Sequence, residues 1–240
     1  MSNTTATVHP IEPVSSQPSR AEEVYAQLKR DIADFRLVPG DRFSEHDICN
    51  RLAVSRTPVR QALFRLQQEG LVEVMFRSGW RVLPFDFDRF DQLYDLRMVL
   101  ETAAAQRLCQ QASTESSPLL EGLKERWLVP VGERSSDAAQ VAAWDEAFHE
   151  TLVQAAGNPE MARVHHEVTE RIRIIRRLDF LKQMRIDATY EEHAKILRAI
   201  LARKADRAEL LLRSHIQSSQ VEVRKITLHQ VFLARQAVDG

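Results

Sequence analysis

The chain has 240 residues, 44% of them apolar, and a net charge of −1. That length and composition suffice for two modest domains with their own cores, and the charge argues against a polyelectrolyte that binds nucleic acid through bulk charge. There is no run of about 18 uncharged apolar residues and no basic stretch leading into an apolar core at the N-terminus, which argues against a membrane span or secretory signal; Cys49 and Cys109 form neither a CxxC pair nor a disulfide framework, as expected for a protein of the reducing cytoplasm.

Residues 1–19 carry no Lys or Arg and include Pro10, Pro13 and Pro18, the composition of a flexible tail. Ser19 then caps a helix expected from Arg20 to Phe35, with Val24, Leu28 and Ile32 along one face. Pro39-Gly40 turns the chain into a short helix across Phe43–Leu52, where Ser44 and Asp47 have the spacing of a capping box. Ala53-Val54 is a very tight connection, so this helix meets the next at a steep angle, as in a helix-turn-helix.

The next helix opens in Val54-Ser55-Arg56-Thr57-Pro58-Val59-Arg60-Gln61-Ala62-Leu63. Ser55 stands where an N-cap is needed, and Pro58 is tolerated this early because the first helical N–H groups lack partners. Val59, Leu63 and Leu66 recur at helical spacing, which leaves Arg56, Thr57 and Arg60 to crowd the positive end of the helix. Cations and a hydroxyl there suit a DNA groove, whereas the plain alternative is a solvated basic face. Gly70 ends the helix, and two β-leaning runs, Leu71–Phe76 and Trp80–Leu83, flank the turn Arg77-Ser78-Gly79 as a hairpin wing. Residues 20–84 hold 11 Lys and Arg against 9 Asp and Glu, so any affinity for DNA must come from where the charges sit.

The blocks Pro39-Gly40-Asp41-Arg42-Phe43-Ser44-Glu45, Val54 to Arg60, Glu69-Gly70-Leu71 and Gly79-Trp80-Arg81-Val82 resemble, in order, the winged helix-turn-helix of GntR-family transcriptional regulators. The resemblance implies that Arg42, His46, Ser55, Arg56, Thr57 and Arg60 belong to the operator-facing surface, and that Arg77, Ser78 and Gly79 form the wing tip near the minor groove. The family usually carries arginine where this chain has His46, a departure at that position.

Pro84 to Asp88 reads as a hinge. Beyond it helical periodicity dominates, with no Gly-rich phosphate loop and no nucleophile motif. Helices are expected over Phe87–Gln111, Pro118–Leu128 and Asp137–Ala156; then, after Gly157-Asn158-Pro159, one to about Arg185, one from Asp187 or Thr189 to Arg203, and one over Ala205–Ala234. The fold class is therefore mainly α: a winged helix-turn-helix of three helices and a small hairpin over residues 20–84, followed by an all-α antiparallel bundle over 85–240.

Asp145 and His149 share one face of a helix, while His193 and His215 lie on two later helices. Three imidazoles and a carboxylate would suit Zn²⁺, Ni²⁺ or Mn²⁺, although a helical histidine is more often an ordinary surface or hydrogen-bonded residue. The series Leu96-Arg97-Met98-Val99-Leu100-Glu101, Asp145 with Phe148-His149, Gly157-Asn158-Pro159, Glu192-His193 with Ile196, and Arg213-Ser214-His215-Ile216 resembles the FCD effector domain of the FadR subfamily. That resemblance implies a divalent metal held by Asp145, His149, His193 and His215, with Arg97 facing the cavity to clamp a small carboxylate effector. For Arg97 the alternative is a surface pair with Glu101. His9, His165, His166 and His229 are expected outside the site, and the run Arg171, Arg173, Arg176, Arg177 is expected to be a solvated helix side with one or two inward members.

Together these readings imply a homodimeric cytoplasmic transcription regulator, not an enzyme, with double-stranded operator DNA and a small carboxylate as partners. Two alternatives stay open at this point. One is a metal-dependent enzyme with a DNA-binding appendage; the other is a regulator whose metal is structural or is itself the signal.

Overall fold

The computed structural model describes residues 19–76, 78–111, 117–180 and 183–225, without the side chains of 177–179 and 183. The chain begins with α1 (Arg20–Ala33), capped by Ser19, whose hydroxyl accepts from the Glu22 amide. It stops before Phe35, which takes a left-handed φ of 59° and ends the helix two residues earlier than its periodicity suggests. In α2 (Glu45–Leu52) the capping box of Ser44 and Asp47 is complete. Ala53 then adopts the left-handed conformation that a connection this tight requires. Ser55 occupies the N-cap of α3 (Arg56–Gln68), but its side chain makes no capping bond.

The wing is β2 (Val72–Met75), one residue shorter at each end than the sequence suggests, and β3 (Gly79–Val82), which starts and ends one residue earlier. A two-residue strand, β1 (Arg42–Phe43), adds to β3, so the antiparallel sheet runs β1-β3-β2. So short a strand has no alternation by which a sequence could announce it. Its register explains Gly79: with φ of +82°, any Cβ there would lie 2.6 Å from the Phe43 carbonyl oxygen.

Six helices follow among the described residues: α4 (Phe87–Gln110), α5 (Pro118–Trp127), α6 (Ala138–Ala155), α7 (Pro159–Asp179), α8 (Gln183–Leu201) and α9 (Ala205–Arg224), with a 3₁₀ turn at Val131–Glu133. Side-chain caps from Asp86, Asp137 and Asn158 start α4, α6 and α7, of which the sequence marks the last in Gly157-Asn158-Pro159. The helix expected to continue to Arg185 instead ends at Asp179, and α8 begins at Gln183 rather than Asp187 or Thr189. That stretch, Ile174 to Arg185, contains no Gly, Pro or Ser to mark a break. The tail of residues 1–18, the loop 112–116, Arg77 and residues 226–240, which include the expected end of the last helix, lie outside the described residues.

Two apolar cores result. One joins α1–α3 with the sheet through Leu28, Ile48, Val59, Leu63, Leu66 and Trp80; the other fills the bundle around Tyr94, Trp127, Phe148 and Tyr190. Within the bundle α4 packs against α6, α7, α8 and α9. Ile174 of α7 is buried in the N-terminal core, and Phe85 packs against both cores. No described helix is long and apolar enough to cross a membrane.

Candidate metal centre and nucleic-acid interface

The helical spacing of Asp145 and His149 on α6 sets both on its inward face, and α8 and α9 bring His193 and His215 to meet them. All four are buried, and one ligand atom from each lies within 4.8 Å of the others. His215 Nε2 is 3.1 Å from His149 Nε2 and 3.3 Å from His193 Nε2, while Asp145 Oδ1 is 3.2 Å from His193 Nε2 and 3.6 Å from His149 Nε2. Two donors each about 2.1 Å from one ion sit about 3.0 Å apart at a right angle and about 3.4 Å apart at a tetrahedral one, so these spacings are of the right size.

Carboxylates on the outer side decide which ring nitrogen faces inward. Glu101 Oε2 on α4 lies 2.6 Å from His149 Nδ1, and Glu192 Oε2 on α8 lies 2.6 Å from His215 Nδ1. Each carboxylate accepts the Nδ1 proton, which leaves an Nε2 lone pair pointing at the centre. The His193 ring is fixed differently: it stacks on Phe148 at 3.8 Å and meets the Trp127 edge at 4.3 Å. Burial drives the His193 and His215 pKa values well below the usual range, which keeps both rings neutral. Asp145 Oδ1, by contrast, is buried without a hydrogen-bond partner. Lone pairs and a carboxylate oxygen converging in a dry interior repel one another unless a cation sits among them, so the donor set fits a divalent ion.

A second layer, which the sequence reading missed, supplies charge balance. Burial alone would raise the Asp145 pKa, but the Arg176 guanidinium, paired with Oδ2, is the chief opposing charge, and the carboxyl is held well below its usual range. Burial likewise works against ionised Glu101; Arg97, His149 and His165 together win and keep it charged. Among the described side chains of the arginine run Arg176 is the inward member, whereas Arg171 is exposed and Arg173 is half-buried; the side chain of Arg177 lies outside the described residues.

Arg97 is fully buried, so its pair with Glu101 (Nε to Oε1, 2.6 Å) is an interior pair and not a surface one. Both terminal nitrogens of Arg97 are buried with no hydrogen-bond partner. Parallel N–H groups left open in this way match a carboxylate. The buried Thr169 hydroxyl, the Trp127 indole N–H and His165 Nδ1 also lack partners. His165, expected outside the site, instead sits in its polar shell, with Nε2 3.0 Å from Glu101 Oε1. His166 is exposed against Glu150 as expected, and His9 and His229 lie outside the described residues.

At the other end of the molecule, Ser55, Arg56, Thr57 and Arg60 are all exposed around the start of α3, and neither arginine packs inward. Arg60 reaches back to α2, donating to Glu45 through Nε (3.0 Å) and Nη2 (2.9 Å). His46 is exposed on α2 with Nε2 3.1 Å from the Asn50 amide, Arg42 is exposed on β1, and Ser78 and Gly79 stand at the wing tip. Glu45 was not legible as a functional residue, because its pairing with Arg60 spans 15 positions and two helices.

Residues 20–82 match the family described as bacterial regulatory proteins, gntR family, and residues 92–218 match the FCD domain. The Nta operon transcriptional regulator of Aminobacter aminovorans is 30% identical over 189 residues, covering 78% of this chain and 87% of that protein. The HTH-type transcriptional repressor RspR of Escherichia coli is 24% identical over 219 residues, covering 91% of this chain and 92% of that protein. Among solved structures, a GntR regulator from Rhodococcus sp. RHA1 superposes with a TM-score of 0.69 at 24% identity, covering 88% of this chain and all (100%) of that one, which shows a shared fold.

Proposed function

The chain belongs to the GntR family of bacterial regulatory proteins and carries an FCD domain, and from that membership we propose a cytoplasmic repressor released from its operator by a small carboxylate bound at a divalent metal ion. The families and relatives that it matches are transcriptional regulators, not enzymes. In this reading residues 20–84 read the operator, and residues 85–240 sense the effector and hold the dimer together.

The observation that carries the effector assignment is the Arg97 guanidinium, buried with two open N–H-bearing nitrogens and joined through Glu101 to His149, one of the three converging imidazoles. Charge bookkeeping supports it. Arg97 and Arg176 are offset by Glu101 and Asp145, so a divalent ion would leave the interior with excess positive charge that an anion neutralises. Asp145, His149, His193 and His215 would hold the ion, which would supply a Lewis-acidic anchor for a carboxylate oxygen. Arg97 would grip the carboxylate, and Thr169, His165 and Trp127 would complete its polar surroundings.

The test is to strip the protein with a chelator, reload it separately with Zn²⁺, Ni²⁺ or Mn²⁺, and titrate a DNA site selected from a random duplex pool with and without small mono- and dicarboxylates. A carboxylate is expected to weaken DNA binding by about 5–150-fold in the metal-loaded protein. Arg97→Ala should abolish that response while leaving the metal content unchanged. Failure to take up metal, or turnover of the acid, would overturn the assignment.

Two identical winged helices would place their α3 helices in successive major grooves of a pseudo-palindromic site. Exposed Leu96 and Val99 on α4 and Leu210 on the neighbouring α9 support a face for the second copy. On the DNA side, Arg60→Ala should weaken binding to all sequences and reduce the slope of log affinity against log salt by about 1, the signature of one lost phosphate contact. Arg56→Ala should instead relax preference at one base pair, by about 1–3 kcal/mol of discrimination. Salt-dependent titrations of both variants that match the parent would remove these residues from the interface.

A further inference from the structure

We propose that α7 couples the metal centre to the recognition helix and that Lys29 is the contact through which the signal crosses between the two units. The proposal rests on the metal reading above.

The path is a chain of direct side-chain contacts. At the centre, Asp145 of α6 is paired with Arg176 of α7. Its neighbour Glu146 accepts from Arg173 at 2.9 and 3.0 Å, and Arg173 also pairs with Glu170 one turn earlier on α7. Glu170 Oε2 then lies 2.7 Å from Lys29 Nζ on α1. Lys29 donates onward to Tyr25 Oη at 2.9 Å and to Glu69 Oε2 at 3.0 Å, and Tyr25 donates to Glu69 Oε1 at 2.6 Å. The final link is Arg65 in the last turn of α3, stacked 3.7 Å from the Tyr25 ring centroid with Nε 3.6 Å from Glu69.

Packing makes α7 a shared element. Ile174, one turn beyond Glu170 on the same face, is buried in the N-terminal core, while Val168, Ile172 and Ile175 belong to the bundle core. Beside the Lys29–Glu170 pair, a crevice of about 360 Å³ lies between α1 and α7, with Ile174 among its lining residues. The Lys29 ammonium is also held charged: burial opposes its charge, but Glu170, Tyr25 and Glu69 together raise its pKa above the ordinary value.

An effector can shift an equilibrium only by binding two arrangements unequally, and the α6–α7 contact supplies that difference. Without an ion, Arg176 is the chief counter-charge of Asp145. An ion at Asp145 Oδ1 takes over part of that charge and loosens the hold of α6 on α7, and the face carrying Glu170, Arg173 and Ile174 passes the change to α1.

Hydrogen exchange of the full chain with and without Ni²⁺ alone tests this, using Lys29→Met and Glu170→Gln, neither of which touches the proposed ligands. In the parent, Ni²⁺ is expected to change amide exchange in α6, α8 and α9, and also in α1 and the last turn of α3, by about fivefold or more. In either variant the change should persist in α6, α8 and α9 and fall away in α1 and α3, and the double variant should do no more than each single one. If α1 and α3 respond equally in parent and variants, or stay silent in the parent while α6, α8 and α9 respond, the proposal fails and the metal reading stands. Silence everywhere removes both.

Discussion

Arg176→Ala is expected to lower the stability of the metal-free protein by about 3–5 kcal/mol, and that of the metal-loaded protein by clearly less. Arg176 is 6% exposed and Asp145 2%, and the guanidinium is the dominant favourable charge at that carboxylate. Removing one partner of such a pair strands a buried charge, which costs far more than the intact pair contributes. For a chain of this size the loss corresponds to a fall of about 6–20 °C in the unfolding midpoint. A divalent ion at Asp145 Oδ1 would supply the missing charge, so saturating Ni²⁺ should recover much of the loss, beyond the ordinary stabilisation by a bound ligand. Thermal unfolding of parent and variant, each with and without Ni²⁺, gives the four numbers required. An equal loss in both forms would mean that Arg176 serves packing alone.

Gly79→Ala is expected to abolish most operator binding while leaving metal uptake intact. The residue carries a φ of +82°, and an added Cβ would meet the Phe43 carbonyl oxygen at 2.6 Å, a rigid backbone atom that cannot step aside. Conformational strain alone costs about 1–3 kcal/mol at such a position. The collision adds to it and pushes β3 away from β1, moving the wing tip off its course. Gly40→Ala provides the control: its φ is +95°, but nothing lies within 4 Å of the added carbon. DNA titration and metal analysis of both variants should show loss of binding confined to Gly79→Ala. Equal losses would assign the effect to backbone strain and not to the contact with β1.

Much of the architecture was present in local patterns. The capping box at Ser44 and Asp47, the Gly157-Asn158-Pro159 corner and the stripe of Val59, Leu63 and Leu66 each act over one or two turns, and each was found where the residues indicated. Errors fell where local signals were weak: the break after Asp179, which nothing punctuates, and β1, too short to alternate. In the site, the pairing of Arg97 with Glu101 was readable from spacing, yet its burial was not. Whether that pair lies on the surface or in the interior depends on what packs above α4, and helical periodicity does not encode that.

Caps, periodicity and motif spacing are short-range properties, so the kinds of element, their order, and the residue types able to hold an ion or meet DNA could be read along the chain. Packing was needed to reveal that Glu101 and Glu192 turn Nε2 of His149 and His215 inward, that Arg176 balances Asp145, that Glu45 holds Arg60, and that Lys29 bridges two units. Separation explains the difference: Glu101 and His149 lie 48 positions apart, and such contacts exist only after helices have packed and expelled the water that would otherwise screen them.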